Sequence, residues 1–286
     1  MSNSKFVAEV SSNHNRNINR AKKFIKIASE VGCSGIKFQL FKIDKLFAPE
    51  ILSKSEEHRS RSKWELPIEF LPELSKYSSD CGLEFSCTPF YLEAVEELLP
   101  YVDFFKIASY ELLWDALLIA CAKTKKPVVL STGMATMDEI ENAVKILKEN
   151  GCDDLTLLHC VSGYPTPVSE CNLSAIKTIK DAFNCKVGWS DHSVNPGVII
   201  RAINRWNAEM VEFHLDLDGK GDEYKGGHCW LPEEIESVIG SVNSGFEADG
   251  TGIKQPAKSE IADRDWRTDP TDGLRPLKHI RDTFNE

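Results

Sequence analysis

Short, β-branched apolar runs recur along this chain, separated by longer segments of helical periodicity. That alternation limits the fold more than any single motif. Strand-like runs fall at 5–11, 34–40, 83–88, 103–108, 127–132, 155–161, 186–191 and 209–215. Spacing of apolar residues at three and four predicts helices near 17–32, 64–81, 91–99, 114–125, 136–150, 172–184, 195–207 and 231–247. Pro232 opens the last of these at a first-turn position, where its missing N–H costs nothing. Eight strands alternating with eight helices predict an α/β fold, a (β/α)8 TIM barrel, and 286 residues is an ordinary length for one. A doubly wound open sheet is the competitor. It usually has fewer strands and a glycine-rich first turn, whereas this turn reads SSNHNRN.

Two stretches break the rhythm. Residues 41–63 are a long charged insertion after the second strand, on the catalytic face if the barrel reading holds. Residues 248–286 are polar and punctuated by Pro and Gly, so we expect a barrel domain over 1–247 and a C-terminal arm over 248–286. The net charge of −10 argues against nucleic acid or an anionic membrane as partner. It leaves room for a small anionic substrate, because a few lysines can dominate a cleft. The nine cysteines include no C-x-x-C and most lie in apolar runs, which fits reduced thiols packed in a cytoplasmic protein. No secretory signal opens the chain, and no run of about 18 apolar residues suggests a membrane span.

Polar residues inside otherwise apolar strands need a reason, since unpaired buried polar groups are expensive. Lys37 and Gln39 share one face of the second strand, and Ser86 and Thr88 one face of the third. Lys106 lies in the fourth, with Ser109 and Glu111 just beyond. Ser131 ends the fifth, Ser162 and Tyr164 follow the sixth, and Ser190 ends the seventh. Glu9 is in the first, with Asn13 and His14 in the loop after it. All gather toward the C-terminal strand ends, where barrel active sites sit. Two lysines among hydroxyls suit a multiply anionic ligand such as a phosphorylated carboxylic acid. The plainer alternative makes Lys37 and Lys106 structural partners of Glu9 and Glu111. With no P-loop and no G-x-G-x-x-G, nucleotide binding has little support.

His192 and His214 close the last two strand-like runs, with Ser190 and Glu212 two residues earlier on the same faces. Paired imidazoles at adjacent strand ends, with a carboxylate nearby, make an open site for a divalent metal. His159 reads as a packed, hydrogen-bonded core residue. Cys87 and Cys160 lie near the mouth without a recognisable base beside them. His228 and Cys229 sit in a glycine-rich loop beside Trp230. There we favour a glycine lid with a packing tryptophan over a second metal site.

The ordered motifs AEVSSNHN (8–15), IKFQLFK (36–42), SCTPF (86–90), FKIAS (105–109), VVLSTGMAT (128–136), LLHCVSGYPTP (157–167), WSDHS (189–193) and VEFH (211–214) resemble the sialic acid synthase family. Its members are phosphoenolpyruvate-dependent synthases of N-acetylneuraminate and other nonulosonic acids, and the resemblance runs over about 5–247. It implies a barrel that condenses phosphoenolpyruvate with an aldehyde sugar, as a homodimer using a divalent metal, often Mn2+, with Mg2+ or Co2+ as alternatives. Carried over by position, His192 and His214 would ligate the metal, with Glu212 close by through water. Lys37, Thr88, Lys106, Ser109, Ser131 and Ser190 would hold phosphoenolpyruvate. Glu9 and Glu111 would handle protons or orient water, Gln39 and Tyr164 would face the sugar, and Ser162 would contact substrate.

The chain departs from the family in three places. Ser162 stands where Asn is common. The segment DLDGKGDEYKGGHCW (216–230) lacks the usual G-P-D-H signature. The sequence also ends at Glu286, before the small antifreeze-like domain that lends an arginine to the partner's site. The arm carries Arg264, Arg267, Arg275 and Arg281, with Trp266, Pro270 and Pro276 to stiffen it, so we expect it to pack on a barrel and to help assemble the dimer. Two rival functions are a pyruvate-type barrel aldolase and a non-catalytic scaffold barrel. The second predicts a lost lysine or metal ligand, and none is missing.

Overall fold

The computed structural model describes residues 4–284. Eight strands, β1 (Lys5–Glu9), β2 (Gly35–Leu40), β3 (Glu84–Pro89), β4 (Phe104–Ile107), β5 (Val128–Ser131), β6 (Leu155–Cys160), β7 (Lys186–Asp191) and β8 (Met210–Leu215), pair in chain order. Every pairing is parallel, and β1 also pairs with β8, so the sheet closes on itself as the alternation predicts. A two-residue strand that periodicity did not suggest, β9 (Cys229–Trp230), adds to β8 with Cys229 opposite His214.

The main helices following the strands are Ile18–Glu30, Leu71–Asp80, Glu93–Leu98, Asp115–Lys123, Met137–Glu149, Ala175–Phe183, Pro196–Trp206 and Pro232–Asp249. Their ends follow local chemistry. Thr136 and Glu139 form a reciprocal capping box, and the Asn195 side chain caps a helix whose first residue is Pro196. The expected helix over 64–81 is shorter than its periodicity suggested. Pro72 tolerates only a first-turn position, so the helix starts at Leu71 and the residues before it form 3-10 turns, Arg61–Trp64 and Ile68–Phe70. The insertion after β2 is not irregular either; it folds as short helices at Ile43–Leu46, Pro49–Leu52 and Glu56–Ser60.

Strand alternation makes the barrel interior a stack of layers. One layer is an apolar plug of Val7, Phe104, Val129, Leu158 and Met210. Gly188 completes it: a Cβ there would lie 2.3 Å from the Met210 carbonyl oxygen and 2.6 Å from Leu158 Cδ2, so only glycine fits. Two residues further along each strand the same face turns polar, with Glu9, Lys37, Lys106, Ser131, Ser190 and Glu212 all buried. The plug thus seals the barrel beneath a charged floor that opens only at the C-terminal strand ends.

Contacts divide the chain into one unit up to Gly245 and a second from Phe246. The second unit contains 3-10 turns at Lys258–Glu260 and Arg264–Trp266 and a short helix at Lys278–Arg281. Asp269 organises it, accepting from Thr271 N at 2.9 Å and Lys278 N at 2.7 Å, while Arg281 pairs with Asp272 at 2.7 Å. The Trp266 ring meets Phe284 edge-on at 6.1 Å.

Candidate active site

A cavity of about 220 Å³ opens at the C-terminal mouth of the barrel. Glu9, Lys37, Gln39, Lys106, Ser109, Ser131, Tyr164, Ser190, His192, Glu212 and His214 line it, joined by Phe90, Ala108, Tyr110 and Cys160. Three expected residues stand behind its wall. Thr88 Oγ1 accepts from Lys37 Nζ at 3.3 Å. Glu111 is largely buried, with Oε2 left without a hydrogen bond. Ser162 sits against Gly133, where a Cβ would come within 2.4 Å of its Oγ and 2.8 Å of Ser109 Oγ.

Charge on the floor is arranged around Glu212. Its Oε1 lies 3.7 Å from Lys106 Nζ and its Oε2 3.9 Å from Lys37 Nζ, while Ser190 Oγ donates to Oε1 at 3.2 Å. Lys37 also pairs with Glu9, whose other oxygen accepts from Ser11 N at 2.6 Å. The plainer alternative holds for Lys37 and Glu9 but not for Lys106, which faces Glu212 rather than Glu111. Glu212 bridges the lysine layer and lies within electrostatic reach of His192 and His214. A strand advances ~3.3 Å per residue, so Glu212 lies deeper than His214 although the two share a face.

Burial draws the Lys37 ammonium down to about 8, with Glu212 opposing and Lys106 reinforcing the shift. Burial works against the charge on Glu212 as well, but Lys106 and Lys37 outweigh it and hold the carboxyl below its usual range. Glu111 behaves in the opposite sense. Burial pushes its carboxyl up to about 7, against the pull of Lys106.

His192 and His214 form the rim, their ring centroids 5.3 Å apart, with the Tyr164 ring tilted at 43° against His192, 4.2 Å between centroids. His192 Nδ1 donates to Val161 O at 2.9 Å, which leaves Nε2 as the free lone pair. Burial and the neighbouring His214 lower His192 to about 3, so its imidazole is neutral, the form a metal takes. The donor set fits a divalent ion.

Further donors come from the segment after β8. His214 Nδ1 is 2.8 Å from Glu223 Oε2, on the one-turn helix Asp222–Lys225, and His228 and Cys229 close in behind it. The sequence reading missed Glu223, which looks like one more charge in a polar, glycine-rich loop. Trp230 packs as expected. It is buried, and its Nε1 donates to Asp191 at 3.0 Å, as does Trp189 Nε1 to the other carboxylate oxygen. His159 is a core residue, bonded to Cys171 O at 2.9 Å and set against Trp189. Burial raises the Cys160 thiol to about 11 and the Cys87 thiol higher still, so neither is poised as a nucleophile.

The model of the NeuB family matches residues 24–254. The chain is 36% identical over 269 residues to N,N'-diacetyllegionaminic acid synthase of Campylobacter jejuni, covering 89% of this chain and 80% of that one. It is 31% identical over 257 residues to pseudaminic acid synthase of the same organism, covering 86% and 75%. The solved N-acetylneuraminic acid (sialic acid) synthetase of Leptospira borgpetersenii, in complex with citrate, is similar in fold with a TM-score of 0.78 at 29% identity, over 91% of this chain and 90% of that one. Barrel, ordered motifs and matched span agree: this chain belongs to the NeuB family.

Proposed function

We propose that this chain is a metal-dependent synthase that joins phosphoenolpyruvate to an aldehyde sugar, giving a nonulosonic or related 3-deoxy-2-keto acid and inorganic phosphate. One observation carries the reading: two buried lysines flank Glu212 on the floor of a cavity whose rim holds His192 and His214, their rings 5.3 Å apart. In the overall reaction carbon 3 of phosphoenolpyruvate bonds to the aldehyde carbon, and the aldehyde oxygen gains a proton. Water then adds at carbon 2 and phosphate leaves.

Lys37 and Lys106 meet the phosphate and carboxylate with fixed charge that needs no reorganisation as the leaving group develops. Ser109, Ser131 and Ser190 satisfy the remaining oxygens, and Thr88 steadies Lys37 from behind the wall. Glu111, raised to about 7, can give or take a proton near neutral pH, and Glu9 orients water beside Lys37. Gln39 and Tyr164 face the sugar, and Gly133 N fixes Ser109 by donating to its Oγ at 3.0 Å. His192 and His214 would hold a divalent ion, with Mn2+ as the first expectation, which supplies Lewis-acid polarisation of the aldehyde oxygen.

The test is phosphate release from phosphoenolpyruvate by the purified chain, supplied with a divalent metal and a panel of N-acetylated aldehyde sugars. Release that requires both sugar and metal supports the proposal. Turnover of pyruvate without phosphate would instead indicate an aldolase, and no turnover with any sugar a non-catalytic barrel. The reading also places the enzyme in the cytoplasm as a homodimer. All nine cysteines are free, as a reducing compartment requires, and mass in solution tests the assembly. Among the described residues no helix is long and apolar enough to cross a membrane.

A further inference from the structure

We infer that His214, Glu223, His228 and Cys229 form a sulfur-containing cation site in this chain, selective for zinc or a similarly thiophilic ion. The inference rests on the proposed metal centre in one respect: the two share His214.

The four side chains each present a ligand atom, and these atoms all lie within 4.8 Å of one another. They converge on a single atom, Glu223 Oε2. It lies 2.8 Å from His214 Nδ1, 3.7 Å from His228 Nε2 and 3.8 Å from Cys229 Sγ. Zinc bonds of ~2.0–2.3 Å in a tetrahedron put neighbouring donors roughly 3.3–3.8 Å apart. Two of the three separations already match that edge, and the His214 contact would open by about half an ångström to accept an ion of those bond lengths. His228 Nδ1 is buried with no hydrogen-bond partner, so no acceptor or donor there fixes the tautomer, and Nε2 facing Glu223 can carry the free lone pair a metal needs.

The backbone brings these donors together. Cys229 stands opposite His214 in the β8–β9 pairing, which places both side chains on one face of adjacent strands. Asp216 accepts from Gly221 N at 3.0 Å and Leu217 N at 2.8 Å, tightening the turn that sets Glu223 over His214. Asn13 Nδ2 ties the end of β8 to the loop after β1 through Leu215 O at 3.0 Å, and its amide lies 3.9 Å from Cys229 Sγ. A thiolate beside two imidazoles favours zinc, cobalt or ferrous iron over magnesium and manganese, which prefer oxygen donors.

Cobalt and zinc salts are the probes, titrated into chelator-treated full-length protein. Bound Co2+ should show a near-ultraviolet sulfur-to-cobalt charge-transfer band, and zinc should bleach it while magnesium does not. Cys229→Ala should abolish the band and weaken zinc binding by more than the ~10–100-fold typical of an outer-shell change. Glu223→Gln should keep the band but shift the visible cobalt spectrum, and His192→Ala should keep the band. Far-ultraviolet circular dichroism confirms that each variant is folded. Cobalt binding without the band overturns the inference, as does a band that survives Cys229→Ala or no binding of either ion.

Phosphate release on the same samples separates this inference from the proposed function. A band without turnover defeats the synthase reading and leaves the ion site standing. Turnover without a band does the reverse.

Discussion

Replacing Lys106 with Met removes one charge from the cavity floor and keeps the aliphatic stem. Lys106 is 2% exposed, its ammonium lies 3.7 Å from Glu212 Oε1, and it donates to Ile107 O at 3.1 Å. Two effects should follow, and they can be told apart. An anionic substrate loses a charge-assisted hydrogen bond worth ~1.5–3 kcal/mol. At 1.4 kcal/mol per tenfold, phosphoenolpyruvate affinity should fall roughly 10–140-fold. The protein also loses the nearer of the two ammonium groups beside Glu212, which keeps Lys37 at 3.9 Å and Ser190 at 3.2 Å.

Breaking a buried pair by removing one partner costs ~3–5 kcal/mol when the contact is close. This contact is loose and one lysine remains, so we expect a loss of about 1–3 kcal/mol, or a melting temperature lower by roughly 2–12 °C. The double variant Lys106→Met/Glu212→Gln removes both charges. It should recover much of the stability, since replacing both members of a buried pair is often neutral, but none of the affinity. Calorimetric titration with phosphoenolpyruvate and thermal melts on the three proteins give the comparison. Wild-type affinity in Lys106→Met, or recovery of affinity along with stability in the double variant, would show that the lysine only supports the fold.

Glu111 should leave a mark on stability against pH. Its folded value of about 7 lies above the ordinary 4.5, so between those values the folded chain holds a proton that the unfolded chain has lost. Stability should therefore be unaffected by this group below the unfolded value and should decline as pH rises through that window, by at most ~3 kcal/mol. Glu111→Gln should flatten the decline in urea melts taken at either end, and an unchanged slope would assign it to other groups. Alanine at His192 or at His214 should cut turnover by more than ~100-fold, exceeding the effect of outer-shell changes, while circular dichroism stays native. Chelator-treated wild-type protein that keeps full activity would remove the metal from the reaction. Gly188→Ala should destabilise by ~1–3 kcal/mol or more, because the added methyl meets a backbone carbonyl that cannot rotate away. An unchanged melting temperature would mean that β7 and β8 separate more easily than their packing suggests.

What the sequence made legible was direction, and what it hid was depth. Period-2 alternation is local, so Lys37, Lys106, Ser190, Glu212 and the two histidines could be assigned to the barrel interior from their own strands. Their neighbours across the barrel depend on stagger between strands far apart in sequence. Glu212 could be placed on the face of His214 from its own strand, but its bridge between the two lysines could not be read there. The helix start at Leu71 was in principle readable from Pro72, and the apolar period masked it. Residues 216–230 were the least legible stretch. Glycines and charges there carry no periodicity, and nothing local says that the chain returns to extend the sheet. Yet that return, with Cys229 beside His214 and Glu223 above them, adds sulfur and a carboxylate to the donors within reach of an ion. The two histidines and two lysines define a chemistry common to a family of barrels. The role of that loop appears only once the strands are paired.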